Sequence, residues 1–358
     1  MGRDEEVRMR MGWILVAVIT AGAVWSCGDG PSAIASGGIR LEPALVIGDA
    51  DEGIIDGNVT VAEWRRGYAV SHRTSPAGIL LFDSTGAFER VLGSEGQGPE
   101  EFRSIRALMS TDGGELVVVD GGNSRVVRLS PEGTVLGSAP IQWRGRPFVG
   151  GYDLYPNGDL LVNGRARGLA DPSWILRWNP DHVVWSLPEV EPIEEDGLRE
   201  AAVDSDESIW VVTARHRLRI DHISPQGEVI ESWSPVRPWF EEWREQEPLT
   251  PGTDAHSGFW GPMAWVRDVR VDGDELWLLA ITGDDRWRES RSANGIDMGL
   301  FSNSVIDVYD KRTGELVTSA EFDLPDEYLI GFLGGDRVVS FRSDELLNHL
   351  VVRRIVRD

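Results

Sequence analysis

Cysteine occurs once in 358 residues, at Cys27, which excludes an internal disulfide framework and leaves no Cys-x-x-Cys pair for zinc or redox chemistry. Histidine is scarce too. The six (His72, His182, His216, His222, His256 and His349) fall at no metal-ligand spacing. His216 and His222 lie six apart on strand-like sequence, but ordinary surface or strand histidines are the better reading of that pair. Basic residues are outnumbered, 35 Lys and Arg against 59 Asp and Glu, giving a net charge of −24. That field repels phosphate backbones, and no basic stripe with interleaved aromatics relieves it, so nucleic acid is disfavoured as a partner. No Gly-x-Ser-x-Gly elbow, P-loop, His-Glu-x-x-His helix or EF-hand loop occurs.

A membrane-spanning helix is missing from the N-terminal region. Arg8 and Arg10 precede an apolar run over residues 11–25, broken only by glycines and Thr20. Fifteen residues fall short of the roughly 20 that cross a bilayer. A basic flank, a short apolar run and small residues after it predict a secretory signal. The run ends Val24-Trp25-Ser26-Cys27-Gly28, which resembles the bacterial lipobox: an aliphatic residue, a spacer, a small residue and then cysteine. The resemblance implies lipid attachment at Cys27, a signal over residues 1–26 and a location in the cell envelope, anchored to the membrane. Trp25 departs from the usual spacer, and Ala33-Ile34-Ala35 offers a second cleavage site that would discard Cys27. Residues 27–38, rich in Gly, Ser, Pro and Ala, read as a flexible tether.

What the chain has in abundance is turn and strand chemistry, with 41 Gly, 19 Pro and 15 Trp among short Val, Ile and Leu runs. Residues 115–120 form a β-branched strand, Gly121-Gly122-Asn123-Ser124 turns, residues 125–129 alternate polar and apolar, and Ser130-Pro131-Glu132-Gly133 turns again. Related turns end at Gly86, His182, Gly227 and Gly314. From Gly86 through Gly133 and His182 to Gly227 the spacings are 47, 49 and 45, and the step to Gly314 is 87. A period of roughly 40–50 residues holding four strands is propeller-blade spacing. Five turns predict five blades. Strand-like segments 328–333, 337–342 and 349–357 make three-quarters of a sixth, and residues 39–48 supply its missing strand. The expectation is an all-β, six-bladed propeller of four-stranded antiparallel blades over residues 39–358, closed by pairing of its N- and C-terminal strands. Seven blades follow if the long insertion hides a degenerate one.

Gly93-Ser94-Glu95-Gly96-Gln97-Gly98-Pro99-Glu100-Glu101-Phe102, followed by Asp112, residues 116–120, Asn123-Ser124-Arg125-Val126 and Gly133, resembles an NHL-type repeat. The Gly-Gln-Gly-Pro-Glu-Glu-Phe run is similar to an inter-blade loop of TolB-like bacterial propellers. The resemblance implies the fold over about one blade, not an activity. Propeller enzymes of the gluconolactonase and paraoxonase kind hold calcium in the central channel. Asp204-Ser205-Asp206, Asp272-Gly273-Asp274 and Asp284-Asp285 are the acidic pairs that such a site would draw on here. Turn chemistry is the stronger reading of all three, so no cofactor is expected.

Two insertions, 235–265 and 284–303, are the better functional candidates. The first carries Trp239, Phe240, Trp243, Phe259, Trp260 and Trp265, and the second Arg286, Trp287, Arg288, Arg291, Asn294 and Phe301. Long loops in a compact domain tend to be functional, and aromatics with arginines suit a sugar ring or a peptide. Trp239, Trp243, Phe259, Trp260, Arg286, Trp287 and Arg288 are therefore the expected ligand-binding residues. A non-enzymatic binding or scaffold module for a protein, peptide or glycan is expected. A calcium-dependent hydrolase or lactonase is the alternative, and self-packing over the channel is the plainest role for the loops.

Overall fold

The computed structural model describes residues 38–48, 59–72, 78–141, 146–165, 173–187, 199–214, 218–240, 264–284, 286, 291–292, 295–296, 302–324, 327–343 and 348–357. Among them no helix occurs, and the strands gather into six four-stranded antiparallel sheets. Blade one comprises Val59–Trp64, Gly67–His72, Ile79–Phe82 and Phe88–Leu92. Blade two comprises Ile105–Ser110, Leu116–Asp120, Arg125–Leu129 and Val135–Pro140. Blade three runs through Arg146–Leu154, Leu160–Arg165, Ser173–Trp178 and Val183–Ser186; blade four through Arg199–Val203, Ile209–Ala214, Leu218–Ile223 and Val229–Trp233. Blade five has Trp265–Asp272, Glu275–Gly283, Ser302–Asp310 and Leu316–Phe322. The four strands of a blade are a to d from the axis outward, and the a strands of successive blades pack on one another around the ring.

Blade six takes a, b and c from Glu327–Phe332, Arg337–Ser343 and Asn348–Arg357, and its outer strand from Ile39–Ile47. The register runs from Ile39 opposite Arg357 to Ile47 opposite Leu350. Six apolar clusters hold the sheets together, one for each neighbouring pair. The cluster joining blade six to blade one combines Ile47, Leu350 and Val352 with Val59, Val70 and Phe82. The chain therefore closes six blades, not seven, and its first strand completes the last sheet.

The turns that revealed the period join strands c and d. Each opens with a side chain that accepts backbone N–H groups further along the turn: Asp83, Ser130, Asn179, Ser224 and Asp310. Four of the five also carry a glycine at positive φ, Gly86, Gly133, Gly227 and Gly314. There the lack of a Cβ matters twice. It permits the backbone angle, and it lets the turn press on the outer strand of the preceding blade. A Cβ on Gly227 would meet Trp185, one on Gly314 would meet Trp233, and one on Gly86 would lie 2.2 Å from the Val46 carbonyl oxygen of the closing strand.

Candidate functional site

Both insertions spring from the same end of blade five. Trp265, where strand a begins, pairs with Ile281, and Gly283, where strand b ends, pairs with Ser302 at the start of strand c. The described residues at the root of the first insertion are fixed between blades four and five. Arg237 donates from Nε and Nη2 to the two carboxylate oxygens of Asp307, at 2.7 and 2.9 Å, and from Nη2 to Ser319 Oγ at 2.8 Å. Trp239 Nε1 donates to Asp307 Oδ2 at 2.9 Å, and Tyr309 OH reaches the same oxygen at 3.2 Å. Asp307 is fully buried, so its charge is compensated by these donors. Trp239 and Phe240 pack against the apolar cluster of blades four and five, ring edge to ring face.

Trp239 therefore sits as the root of the insertion, with its indole N–H committed to the fold. Asp307→Ala leaves Arg237 without its carboxylate inside the protein, and such a loss costs about 3–5 kcal/mol. The expected outcome is a lower melting temperature together with faster proteolytic cleavage within residues 241–263 than elsewhere in the chain. Uniform cleavage would show that Asp307 stabilises the whole ring without fixing the insertion.

The second insertion is rooted in the same manner. Arg286 forks onto Asp284 (Nε to Oδ1 at 2.9 Å, Nη2 to Oδ2 at 2.7 Å), and Nη2 also reaches Asp323 Oδ1 at 2.7 Å. The Arg286 hydrogen bond holds Asp284 below the ordinary carboxylate range, and both aspartates push Arg286 upward. Within the insertion, Arg291–Ser292 and Gly295–Ile296 pair as a small ladder. Trp243, Phe259, Trp260, Trp287 and Arg288 lie outside the described residues, as do Cys27, the signal and most of the tether.

A second cluster, which the sequence did not announce, lies on the axis. A cavity of about 140 Å³ is bordered by the a strands of blades one, two, five and six, with Arg267 and Asp268 as its charged lining. Bulges interrupt the a–b ladder at Arg106, Arg267 and Ile330, where one extra residue re-aims the chain. Asp268 accepts the N–H of Val269 beside it at 2.8 Å and that of Phe332 in the next blade at 2.6 Å. Asp153 does the same between blades three and four, taking Leu154 N–H at 2.8 Å and Val203 N–H at 2.7 Å. Thr60 Oγ1 accepts Leu108 N–H at 3.3 Å between blades one and two. The inner ring is thus stitched at alternate interfaces by side chains that accept backbone donors. A carboxylate suits the two-donor positions, whereas an asparagine would aim its own N–H₂ at one of them.

Burial raises Asp153 to about 6, against the backbone hydrogen bonds that oppose the change. Asp268 rises to about 6 through burial, with Asp153 adding repulsion. Glu200 in blade four is pushed well above its ordinary range by burial and then by Asp268, with Arg267 opposing. Because these folded values exceed the unfolded ones, the native state binds protons that the unfolded chain has released between 3.8 and about 6. Their contribution to stability therefore falls as pH rises through that window. Asp268→Asn should flatten the decline between pH 4 and 6 in thermal melts. An unchanged slope would remove Asp268 from the axis titration.

Among the described residues, the acidic pairs singled out in the sequence do not assemble, and Asp285 lies outside them. Asp204 takes Lys311 Nζ at 2.6 Å and Trp210 Nε1 at 3.0 Å, and Asp206 caps Ser208 N–H at 3.0 Å. His222 stacks on Trp210 at 4.1 Å and places Nε2 2.9 Å from Ser208 Oγ, while His216 lies outside the described residues. Among the described residues, no three His, Cys, Asp or Glu side chains gather to hold a metal ion. Asp120 and Arg125 do more than bracket a turn. Asn123 Nδ2 donates to Gly96 O, Arg125 Nη2 donates to Gly98 O, and Asp120 accepts from both side chains, which clamps the loop over residues 93–102. Within it, Glu101 caps the N–H groups of Gln97 and Gly98.

No protein-family model and no curated protein matches the chain. Solved structures do resemble it. A proposed exported protein of Bacteroides fragilis NCTC 9343 aligns at TM-score 0.52 and 12% identity, over 90% of this chain and 96% of that one. A member of the DUF4221 family from Bacteroides vulgatus ATCC 8482 aligns at TM-score 0.59 and 10% identity, over 89% and 99%. A virginiamycin B lyase of Staphylococcus aureus, at TM-score 0.47 and 12% identity over 89% and 100%, is too distant to carry a functional argument. At these identities the likeness establishes the fold alone, a six-bladed β-propeller whose architecture is shared with these structures, one of them described as an exported protein.

Proposed function

We propose that the chain is an exported propeller of the NHL-repeat, TolB-like kind, anchored to the cell envelope by lipid on Cys27, that binds a protein, peptide or glycan without catalysing a reaction. One observation carries this reading. Two long insertions, rich in aromatics and arginines, rise from the same end of blade five, each rooted by a buried aspartate, so a rigid scaffold presents them together. Binding residues on loops held by a rigid frame are a general arrangement. Trp243, Phe259, Trp260, Trp287 and Arg288 are the contacts assigned to the ligand, with Arg286 and Trp239 holding their bases.

Pull-down from envelope extract and a glycan array test this directly. Trp260→Ala should weaken the captured interaction by about 30-fold or more, the effect expected of an aromatic anchor. Specific capture that survives Trp260→Ala and Trp287→Ala would place the ligand elsewhere, and no specific capture would end the reading. Lipid on Cys27 is checked by intact mass and by Cys27→Ser, which should move the protein from the membrane to the soluble fraction. A calcium-dependent hydrolase working in the channel is the second reading, favoured by the acidic groups at the axis. Bound calcium, with a melting temperature lowered by chelator, would support it against the first.

A further inference from the structure

The end of the ring opposite the insertions carries a groove that neither the fold nor the proposed binding face uses. It has a volume of about 610 Å³ and is bordered by Arg65, Arg66, Phe82, Ser84, Glu89 and Glu132, among others. Volumes of roughly 300–1,000 Å³ suit small ligands. Its floor is rigid. Trp64, Tyr68 and Phe82 are buried, and Trp64 Nε1 donates to Gly114 O of blade two at 2.8 Å.

Arg65 and Arg66 form the two-residue loop of the hairpin in which Trp64 pairs with Gly67. Arg65 has φ 61°, in the left-handed region that glycine occupies without cost. The corresponding a–b turns of blades two, three, five and six place Gly114, Gly158, Gly273 and Gly335 at positive φ. Blade four places Glu207 there, and its carboxylate pairs with Arg177 at 2.8 Å, which gives that side chain a part in the fold. Arg65 has no comparable part. Its guanidinium lies 5.7 Å from the Trp64 ring, and both Arg65 and Arg66 are exposed. Among the described residues neither arginine makes a side-chain hydrogen bond or salt bridge, and the Arg65 charge is felt by Glu132 alone. Arg128, Arg337 and Arg354 each find a carboxylate, whereas Arg65 and Arg66 are adjacent on one two-residue loop and form no salt bridge there. A residue at positive φ whose guanidinium has only the Trp64 ring and the field of Glu132 to meet points to a ligand.

We infer that this groove is a second binding site, for a small acidic saccharide whose carboxylate is taken by Arg65 and Arg66. The guanidinium fork matches a carboxylate. Across the groove, the Ser84 hydroxyl and the carboxylates of Glu89 and Glu132 supply acceptors for sugar hydroxyls. Those two glutamates, with Asp83, oppose any anion, so a saccharide is favoured over a bare phosphate by its hydroxyls and not by its charge. The inference is independent of the insertions, whose described roots are at the other end of blade five.

Calorimetric titration of the purified exported protein with digalacturonic acid tests it, with neutral digalactose, inorganic phosphate and a diglutamyl peptide as comparators. Saturable binding of digalacturonic acid, absent for digalactose, is expected. Arg65→Gly and Arg66→Ser should each weaken it by about tenfold or more, the loss of one charge-assisted contact. Arg65→Gly should not lower the melting temperature, because glycine relieves the turn, and Trp260→Ala should leave the affinity unchanged. Phosphate or the diglutamyl peptide binding as tightly as digalacturonic acid would overturn the saccharide assignment. No binding by any probe would overturn the site, and a melting temperature lowered by Arg65→Gly would overturn the premise that the side chain is idle in the fold.

Discussion

Deletion of Ile39–Ile47 is expected to abolish the cooperative folding of the whole propeller, although those nine residues are the first of the described fold and make only one strand. Ile39, Leu41 and Ile47 are essentially fully buried, and each lies in a cluster that joins blade six to a neighbour, Ile39 and Leu41 toward blade five and Ile47 toward blade one. Burying three such side chains is worth roughly 5–9 kcal/mol, comparable with the whole stability of a typical domain. The deletion also exposes the Asn348–Arg357 strand as a new edge, an invitation to aggregation. Circular dichroism melts should show a broad, non-cooperative transition, with the protein recovered largely as aggregate. Leu41→Ala alone should cost about 2–5 kcal/mol while keeping the transition sharp. A peptide of residues 38–48 added in trans should restore part of the cooperativity, whereas unchanged melting of the deletion variant would show that the strand is ornamental.

The second large effect belongs to the innermost strand of the same blade. Glu327, nearly buried, accepts Arg353 through Nε at 2.6 Å and Nη2 at 2.8 Å. Arg342 adds Nε at 3.1 Å and Nη2 at 2.9 Å, and Ser340 Oγ donates as well. Arg353 is itself only 3% exposed, so it cannot turn to water if the carboxylate is lost. Glu327→Gln should therefore destabilise the ring by about 3–5 kcal/mol, a fall in melting temperature on the order of 10 °C. The double variant Glu327→Leu with Arg353→Leu should recover most of that loss, because removing both charges removes the uncompensated one. A double variant as unstable as the single one would mean that the pair contributes by its attraction and not merely by mutual compensation.

Glu327 also sets the acid side of the stability profile. Burial alone would raise its pKa, but the hydrogen bonds and charge of Arg353, with Ser340 and Arg342, hold it below 4.5. Its contribution is present above that value and is lost as pH falls through the lower folded one. The axis aspartates act in the opposite sense, losing their contribution as pH rises toward about 6. The two trends together place the stability maximum of these groups near pH 4, where Glu327 is already charged in the folded state and the axis aspartates still hold their protons.

The period was legible because each c–d turn needs the same local chemistry: a capping Asp, Asn or Ser, followed in four of the five by a glycine at positive φ. The closing strand was legible by counting, since three strands at the C-terminus lacked a fourth and residues 39–48 were available to supply it. The axis was not. Asp153 and Asp268 each interrupt an apolar strand, and such an interruption reads locally as a strand end. Their partners, Val203 and Phe332, lie 50 and 64 residues further on, and only the ring brings them together. Trp239 shows the same limit from the other side. Among Pro and Glu it looks free to meet a ligand, but its partner Asp307 is 68 residues away and fully buried. Sequence therefore located the insertions and their face, and the long-range contacts sorted which of their side chains anchor them. The remaining aromatics carry the binding proposal.

The claim on which the rest depends is that the first strand of the fold closes the ring in the stated register. Leu45 lies opposite Val352, and both face the cluster shared with blade one. A Leu45→Cys, Val352→Cys pair in a Cys27→Ser background, oxidised and mapped by mass spectrometry, measures that register directly. An intramolecular disulfide formed in the folded protein, with a raised melting temperature, is the predicted result. No disulfide, or one found only between chains, would contradict the closed six-bladed ring.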